Sequence, residues 1–120
     1  KLVGEGAGDN AGISAAGPGD VNADGFDDVI VGASSEDSAG IDAGAAYLVL
    51  GPVSGVLSLS AADAKFVAEA AGDGGGISVA GASDVDEDGF PDLLVGAPSN
   101  DTYGSEADAG AAYLLLGGGR

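Results

Sequence analysis

Apolar residues in this chain come in short unbroken runs rather than in alternation. Asp28-Val-Ile-Val-Gly-Ala33 and Ala45-Ala-Tyr-Leu-Val-Leu50 are bounded by Gly and Asp, and each has a close relative further on, in Asp92-Leu-Leu-Val-Gly-Ala97 and Ala111-Ala-Tyr-Leu-Leu-Leu116. Runs of this length, rich in Val, Ile and Tyr, predict strands buried on both faces; a buried helix needs a longer run. Two further strands are predicted per copy. Ile13 to Gly19 is a first strand of small residues, and Lys65-Phe-Val-Ala-Glu69 is a fourth, with Lys1-Leu-Val-Gly-Glu5 as its earlier counterpart. The linker Gly51 to Ala64 carries Ser60-Ala-Ala-Asp-Ala64, read as one helical turn with Ser60 as its N-cap.

The pattern is an internal repeat. Gly12-Ile-Ser returns as Gly76-Ile-Ser and Asp20 as Asp84, an offset of 84 − 20 = 64. Beyond Ala97 the offset becomes 110 − 44 = 66, because the second copy carries two more residues before Gly110. An insertion confined to one segment marks a surface loop. The repeat units are 1–64 and 65–120. Strands buried on both faces need sheets stacked face to face on either side, whereas a sandwich buries one face of each sheet. Radially packed four-stranded blades satisfy this, and small residues on the first strands suit the crowded centre. The predicted fold is therefore all-β: a β-propeller fragment of two four-stranded antiparallel blades.

Composition narrows the function. The chain has 20 acidic residues against 3 basic ones, a formal net charge of −17, and no His, Cys, Met or Trp. There is no basic patch for nucleic acid, and no apolar run approaches the length of a membrane span. With 45% hydrophobic residues the chain packs rather than remaining disordered. The absence of His and Cys removes the commonest general base and the thiol nucleophile, so no catalytic site is predicted. No signal peptide is visible, and the start at Lys1 is that of a processed or excised piece.

The acids concentrate in two loops, Asp20-Val-Asn22-Ala-Asp24-Gly25-Phe26-Asp27-Asp28 and Asp84-Val-Asp86-Glu-Asp88-Gly89-Phe90-Pro91-Asp92. Oxygen-bearing side chains stand at positions 1, 3, 5 and 9, with Gly at 6 for the sharp turn, which is the spacing of a calcium loop. An EF-hand would end in Glu at position 12, where this chain has Val31 and Val95. The remaining acids are read differently. Asp37, Asp42, Asp101 and Asp108 form a solvated rim, and Asp9 and Asp73 form Gly-rich turns. Tyr47, Tyr113, Phe26 and Phe90 recur at equivalent places and are read as blade packing.

Gly12-Ile13-Ser14, the acidic loops, Val95-Gly-Ala-Pro98 and Gly110-Ala-Ala-Tyr-Leu114 together resemble the FG-GAP repeat, the blade of the integrin α-subunit propeller. The Phe-Gly of that pattern is Ala11-Gly12 here and Gly75-Gly76 in the second copy, and its Pro is Ser34 in the first. No cation ligand is touched by these departures. The resemblance implies one Ca²⁺ per repeat, two per chain. The side chains of Asp20, Asn22, Asp24 and Asp28 with the Phe26 carbonyl would hold the first ion, and those of Asp84, Asp86, Asp88 and Asp92 with the Phe90 carbonyl the second. Four carboxylates against three, and the stiffening Pro91, favour tighter binding at the second site.

Two blades cannot close a propeller, which takes about four to eight. The ring is completed either by a homo-oligomer or by a longer parent chain. In the oligomer Lys1 to Glu5 pairs beside Ala111 to Leu116 of a neighbour, as the outer strand of that neighbour's blade. The implied role is a non-catalytic, extracellular or cell-surface scaffold for binding, adhesion or self-assembly, with a protein or glycan as ligand. The runner-up is an accessory propeller domain of a secreted enzyme, or a structural spacer. Near-identical repeats are also what an engineered or excised repeat fragment would show.

Overall fold

The computed structural model describes residues 1–101 and 107–118. Among these residues nine strands run in order: β1 (Leu2–Val3), β2 (Ala11–Gly19), β3 (Asp28–Ala33), β4 (Ala45–Val49), β5 (Leu57–Ser58), β6 (Ala64–Val67), β7 (Ser78–Ser83), β8 (Asp92–Ala97) and β9 (Ala111–Leu115). Among the described residues the only helical element is a 3-10 turn at Leu59–Ala61. It is capped by Ser58, whose hydroxyl accepts from the Ser60 N–H, so the cap lies two residues before the predicted Ser60. Both predicted apolar runs are strands.

The first sheet is antiparallel in the order β2-β3-β4-β6, and the second follows as β7-β8-β9. The fold is thus all-β, built from blades whose ring does not close within one chain. Among the described residues, four strands per sheet hold for the first sheet only. The first sheet takes in β6, so in space it ends at Val67 rather than at the repeat boundary.

The continuous apolar runs have a direct explanation. One face of β3 and β4 carries Val31, Ala33, Ala45, Tyr47 and Val49, which pack with Leu59, and with Leu2, Val29 and Leu57 at the margin. The opposite face carries Ile30 and Ala46, which pack against Leu93 and Val95 of the second sheet, with Phe66, Tyr113 and Leu115 around them. Phe66 and Tyr113 make a tilted ring contact at 4.8 Å between centroids. Burying both faces demands apolar residues at successive positions.

The first strands lie together where the sheets approach most closely. The Ser14 hydroxyl donates to the Gly76 carbonyl at 2.8 Å, and Gly44 bridges Gly75 in parallel. A Cβ on Gly32 would lie 1.8 Å from the Gly76 carbonyl oxygen, so the approach excludes any side chain.

β1 makes a parallel pairing with β5 in its own chain, Leu2 beside Leu57 and Val3 beside Ser58. The Leu57 N–H donates to the Lys1 carbonyl at 2.9 Å. Main-chain groups of successive residues in a strand point to opposite edges. Lys1 and Val3 therefore face β5, while the N–H and C=O of Leu2 face the other edge.

Candidate metal centres

Each acidic loop is the connection between a first and a second strand, β2 to β3 and β7 to β8. The local fold is set by carboxylates accepting backbone N–H groups. Asp20 accepts from Asp24 (3.0 Å) and Gly25 (2.7 Å), and Asp24 accepts from Phe26 (3.0 Å). In the second loop Asp84 accepts from Asp88 (3.0 Å) and Gly89 (2.8 Å), and Asp88 accepts from Phe90 (2.9 Å). Corresponding distances differ by no more than 0.1 Å, so one geometry is built twice. Gly25 and Gly89 have φ of +93° and +94° with open space around them, so position 6 requires glycine for its backbone, not for room. Position 4 is also left-handed, with φ of +57° at Ala23 and +61° at Glu87, a feature the residue types do not announce.

Position 9 has a second task. Asp28 is 1% exposed and accepts from Val21 N–H (2.7 Å) within its loop and from Gly51 N–H (2.8 Å) just after β4. Asp92, fully buried, accepts from Val85 (2.6 Å) and Gly117 (2.8 Å) in the same way. The N–H groups of Gly117 and Val85 hold the Asp92 carboxyl below its ordinary range against the effect of burial. These residues lock the loop base to the far end of the third strand.

The donor sets of the two loops differ. Oxygens of Asp84, Asp86 and Asp88 lie within 4.8 Å of one another. Ca²⁺ takes oxygen ligands at about 2.3–2.6 Å, so opposite ligands of one ion lie about 5 Å apart and the trio fits around it. Carboxylate oxygens without imidazole or thiolate are the donors of a hard cation rather than of zinc or copper. Desolvation pushes the Asp86 carboxyl up, and the charges of Asp88, Asp92 and Asp84 add to this. In the first loop Asn22 replaces the middle carboxylate, and its Nδ2 donates to Asp24 at 3.2 Å.

Comparison with known families matches residues 5–49 and 75–115 to the FG-GAP repeat. The chain belongs to the FG-GAP repeat family. It is also similar to Integrin alpha pat-2 of Caenorhabditis briggsae, 38% identical over 99 residues, which is 80% of this chain and 8% of that protein's length. The two FG-GAP segments each contain one acidic loop with its flanking strands.

The other acidic residues of this FG-GAP pair divide by burial. Asp37, Asp42, Asp101 and Asp108 are exposed, in keeping with a solvated rim. Asp9 and Asp73 form the predicted turns, accepting from Gly6 (2.9 Å) and Ala70 (3.0 Å), but both are buried. Tyr47 is core and Tyr113 packs on Phe66, as predicted, whereas Phe26 is half exposed and packs in neither core. Its place in the hairpin turns the ring to solvent. Sequence reasoning missed Glu36, 4% exposed, whose carboxylate meets the Lys65 ammonium at 2.9 Å; Glu5 meets it at 2.6 Å. Lys65 also lies 5.3 Å from the Tyr47 ring centre. The one available signal was scarcity, since Lys65 is one of three cations in the chain.

Proposed function

We propose that this FG-GAP pair is a non-catalytic, calcium-stabilised propeller scaffold of integrin type, working outside the cell or at its surface in binding or adhesion. The observation that carries the reading is the duplicated loop, with one spacing and one hydrogen-bond geometry in both copies. Asp20, Asn22, Asp24 and Asp28 with the Phe26 carbonyl would hold one Ca²⁺. Asp84, Asp86, Asp88 and Asp92 with the Phe90 carbonyl would hold the other. Bound calcium supplies the positive charge these clusters lack and cross-braces each hairpin. An extracellular setting, where calcium is plentiful, suits such sites. Native mass spectrometry with calcium should show two ions per chain, with Asp84→Ala and Asp20→Ala each removing one. Calorimetry should rank the second loop as the tighter. A chain that stays metal-free in millimolar calcium would reject the proposal.

The same reading includes self-assembly into a closed ring. Leu94 and Leu114 are 38% and 43% exposed on the far face of the second sheet. Their counterparts Ile30 and Leu48 pack against the second sheet in the first repeat. The outer edge of β9 is unpaired among the described residues. The Ala68 N–H donates to the Gly44 carbonyl, so Phe66 faces β4 as well; its counterpart Leu2 has its main-chain groups on the edge of β1 away from β5. Both observations support the seating of β1 of one copy against β9 of another. A Leu2→Cys, Ala112→Cys chain should form covalent oligomers on oxidation. A chain that remains monomeric at all concentrations would overturn this part and leave the calcium reading intact.

A further inference from the structure

The two acidic loops are joined through the pair Gly117-Gly118, just after β9. The Gly117 N–H donates to the Asp92 carboxylate of the second loop at 2.8 Å. The Gly118 N–H donates to the Val21 carbonyl of the first loop at 2.9 Å. Asp92 also accepts from Val85 at 2.6 Å, and the Val21 N–H donates to Asp28 at 2.7 Å. The position-9 acids of the two loops are thus linked in an unbroken run: Asp92, Gly117, Gly118, Val21, Asp28. Both acids are buried, and Val21 is 3% exposed, packed with Ile30 of the first sheet and Leu93 of the second. The run is also tight. A Cβ on Gly117 would lie 2.0 Å from the Pro91 carbonyl oxygen of the second loop and 3.1 Å from the Val21 carbonyl oxygen of the first. The equivalent pair in the first repeat, by the offset of 66, is Gly51-Pro52. Gly51 donates to Asp28 as Gly117 does to Asp92, but Pro52 has no N–H to hand on.

We propose that Gly117-Gly118 is a coupling strap, through which calcium at one loop tightens calcium binding at the other. The inference rests on the calcium reading and adds cooperativity between its two sites. A filled second loop holds Asp92 in one orientation, and Asp92 holds Gly117. Gly118 then fixes Val21, whose N–H sets the Asp28 carboxylate. The first loop therefore binds its ion with less left to order. Coupling is reciprocal, so filling the first loop tightens the second by the same factor. Long-range charge works the other way, because each bound ion lowers the negative potential that draws in the next. Tightening is thus a signature of the strap and not of net charge.

The amides of Gly25 and Gly89, each bonded to the first acid of its loop, report the two sites separately when the isotope-labelled full chain is titrated with calcium. Asp86→Ala disables the second loop and leaves the strap residues in place. First-loop binding, read at Gly25, should then weaken about fivefold. Gly118→Ala keeps the N–H and should keep that ratio. Gly118→Pro lacks it, and there Asp86→Ala should leave first-loop binding unchanged or tighter. If Gly118→Pro does not fold, the Asp20→Ala chain decides the matter. Calcium entering its second loop should move the Val21 and Gly118 amides with the midpoint of Gly89. The coupling is overturned if Asp86→Ala alone leaves first-loop affinity unchanged, if the ratio survives in Gly118→Pro, or if Val21 stays still while Gly89 shifts. Absence of calcium shifts at both glycines would reject the calcium reading and the strap with it, so the two failures are told apart.

Discussion

The residues that fix this molecule are buried acids whose partners are backbone amides. Asp28 joins Val21 to Gly51, two segments that its own strand lies between. Replacing it by Ala leaves two N–H groups without their acceptor in a buried place, at about 1–3 kcal/mol each. Asp28→Ala is expected to lose about 3 kcal/mol in denaturant melts even in excess chelator, where any role toward calcium is silent. The Lys65 cluster makes a pH-dependent contribution. Burial opposes the charge on Glu36, but hydrogen bonds from Ser38 and Lys65 outweigh it and hold the carboxyl below its ordinary 4.5. Burial likewise opposes the charge on Lys65, but Glu5 and Glu36 outweigh it and raise the ammonium well above its ordinary 10.5. The Glu36 contribution is therefore complete above 4.5 and lost as pH falls through the lower folded value. That of Lys65 is complete below 10.5 and lost as pH rises through the higher one. Lys65→Met should cost about 2 kcal/mol near pH 7, because it takes the cation from a buried carboxylate that keeps only its Ser38 donors. The deficit should shrink in melts as pH falls below the ordinary 4.5 and through the lower folded value. None of these pairings was legible in the sequence. They join residues up to 60 positions apart, and an acid that clamps a backbone looks the same in sequence as one that faces water.

At the level of strands and turns, legibility followed burial pattern. β3 and β4 announce themselves because double-faced burial forces unbroken apolar runs; β8 and β9 carry the same runs, although Leu94 and Leu114 leave one of their faces exposed. The hairpin loops announce themselves because oxygen spacing and glycine recur together. β5 does not, since a two-residue strand is defined by its neighbour in space rather than by any period. The close approach of the sheets near Gly32 and Gly76 was visible only as a taste for small residues. It gives a paired test. On Gly32 a Cβ meets the Gly76 carbonyl, fixed backbone of the next blade, at 1.8 Å. On the equivalent Gly96 it meets the Ser78 hydroxyl at 2.3 Å, a side chain that can rotate away. Gly32→Ala should cost about 3 kcal/mol or prevent folding, and Gly96→Ala about 1 kcal/mol, in parallel thermal melts.

For the molecule as a whole, charge is the dominant variable. Seventeen uncompensated negative charges repel one another in the compact state. Chelation of divalent ions should lower the melting midpoint by several degrees. In chelator, raising sodium chloride from 10 mM to 500 mM should recover part of that loss, since screening shortens the range of the repulsion. With saturating calcium the salt effect should be much smaller. A midpoint insensitive to chelator at low salt would show that the loops hold themselves through their own N–H contacts.

If copies of this chain close the proposed ring, the pair of sheets described in each has an arithmetic consequence. Copies that join end to end add sheets two at a time. A closed circle of them has four, six or eight blades and two-, three- or fourfold symmetry, while circles of five or seven are out of reach. Where the turn between sheets suits only an odd number, the copies cannot meet, and the product is an open spiral that lengthens with concentration.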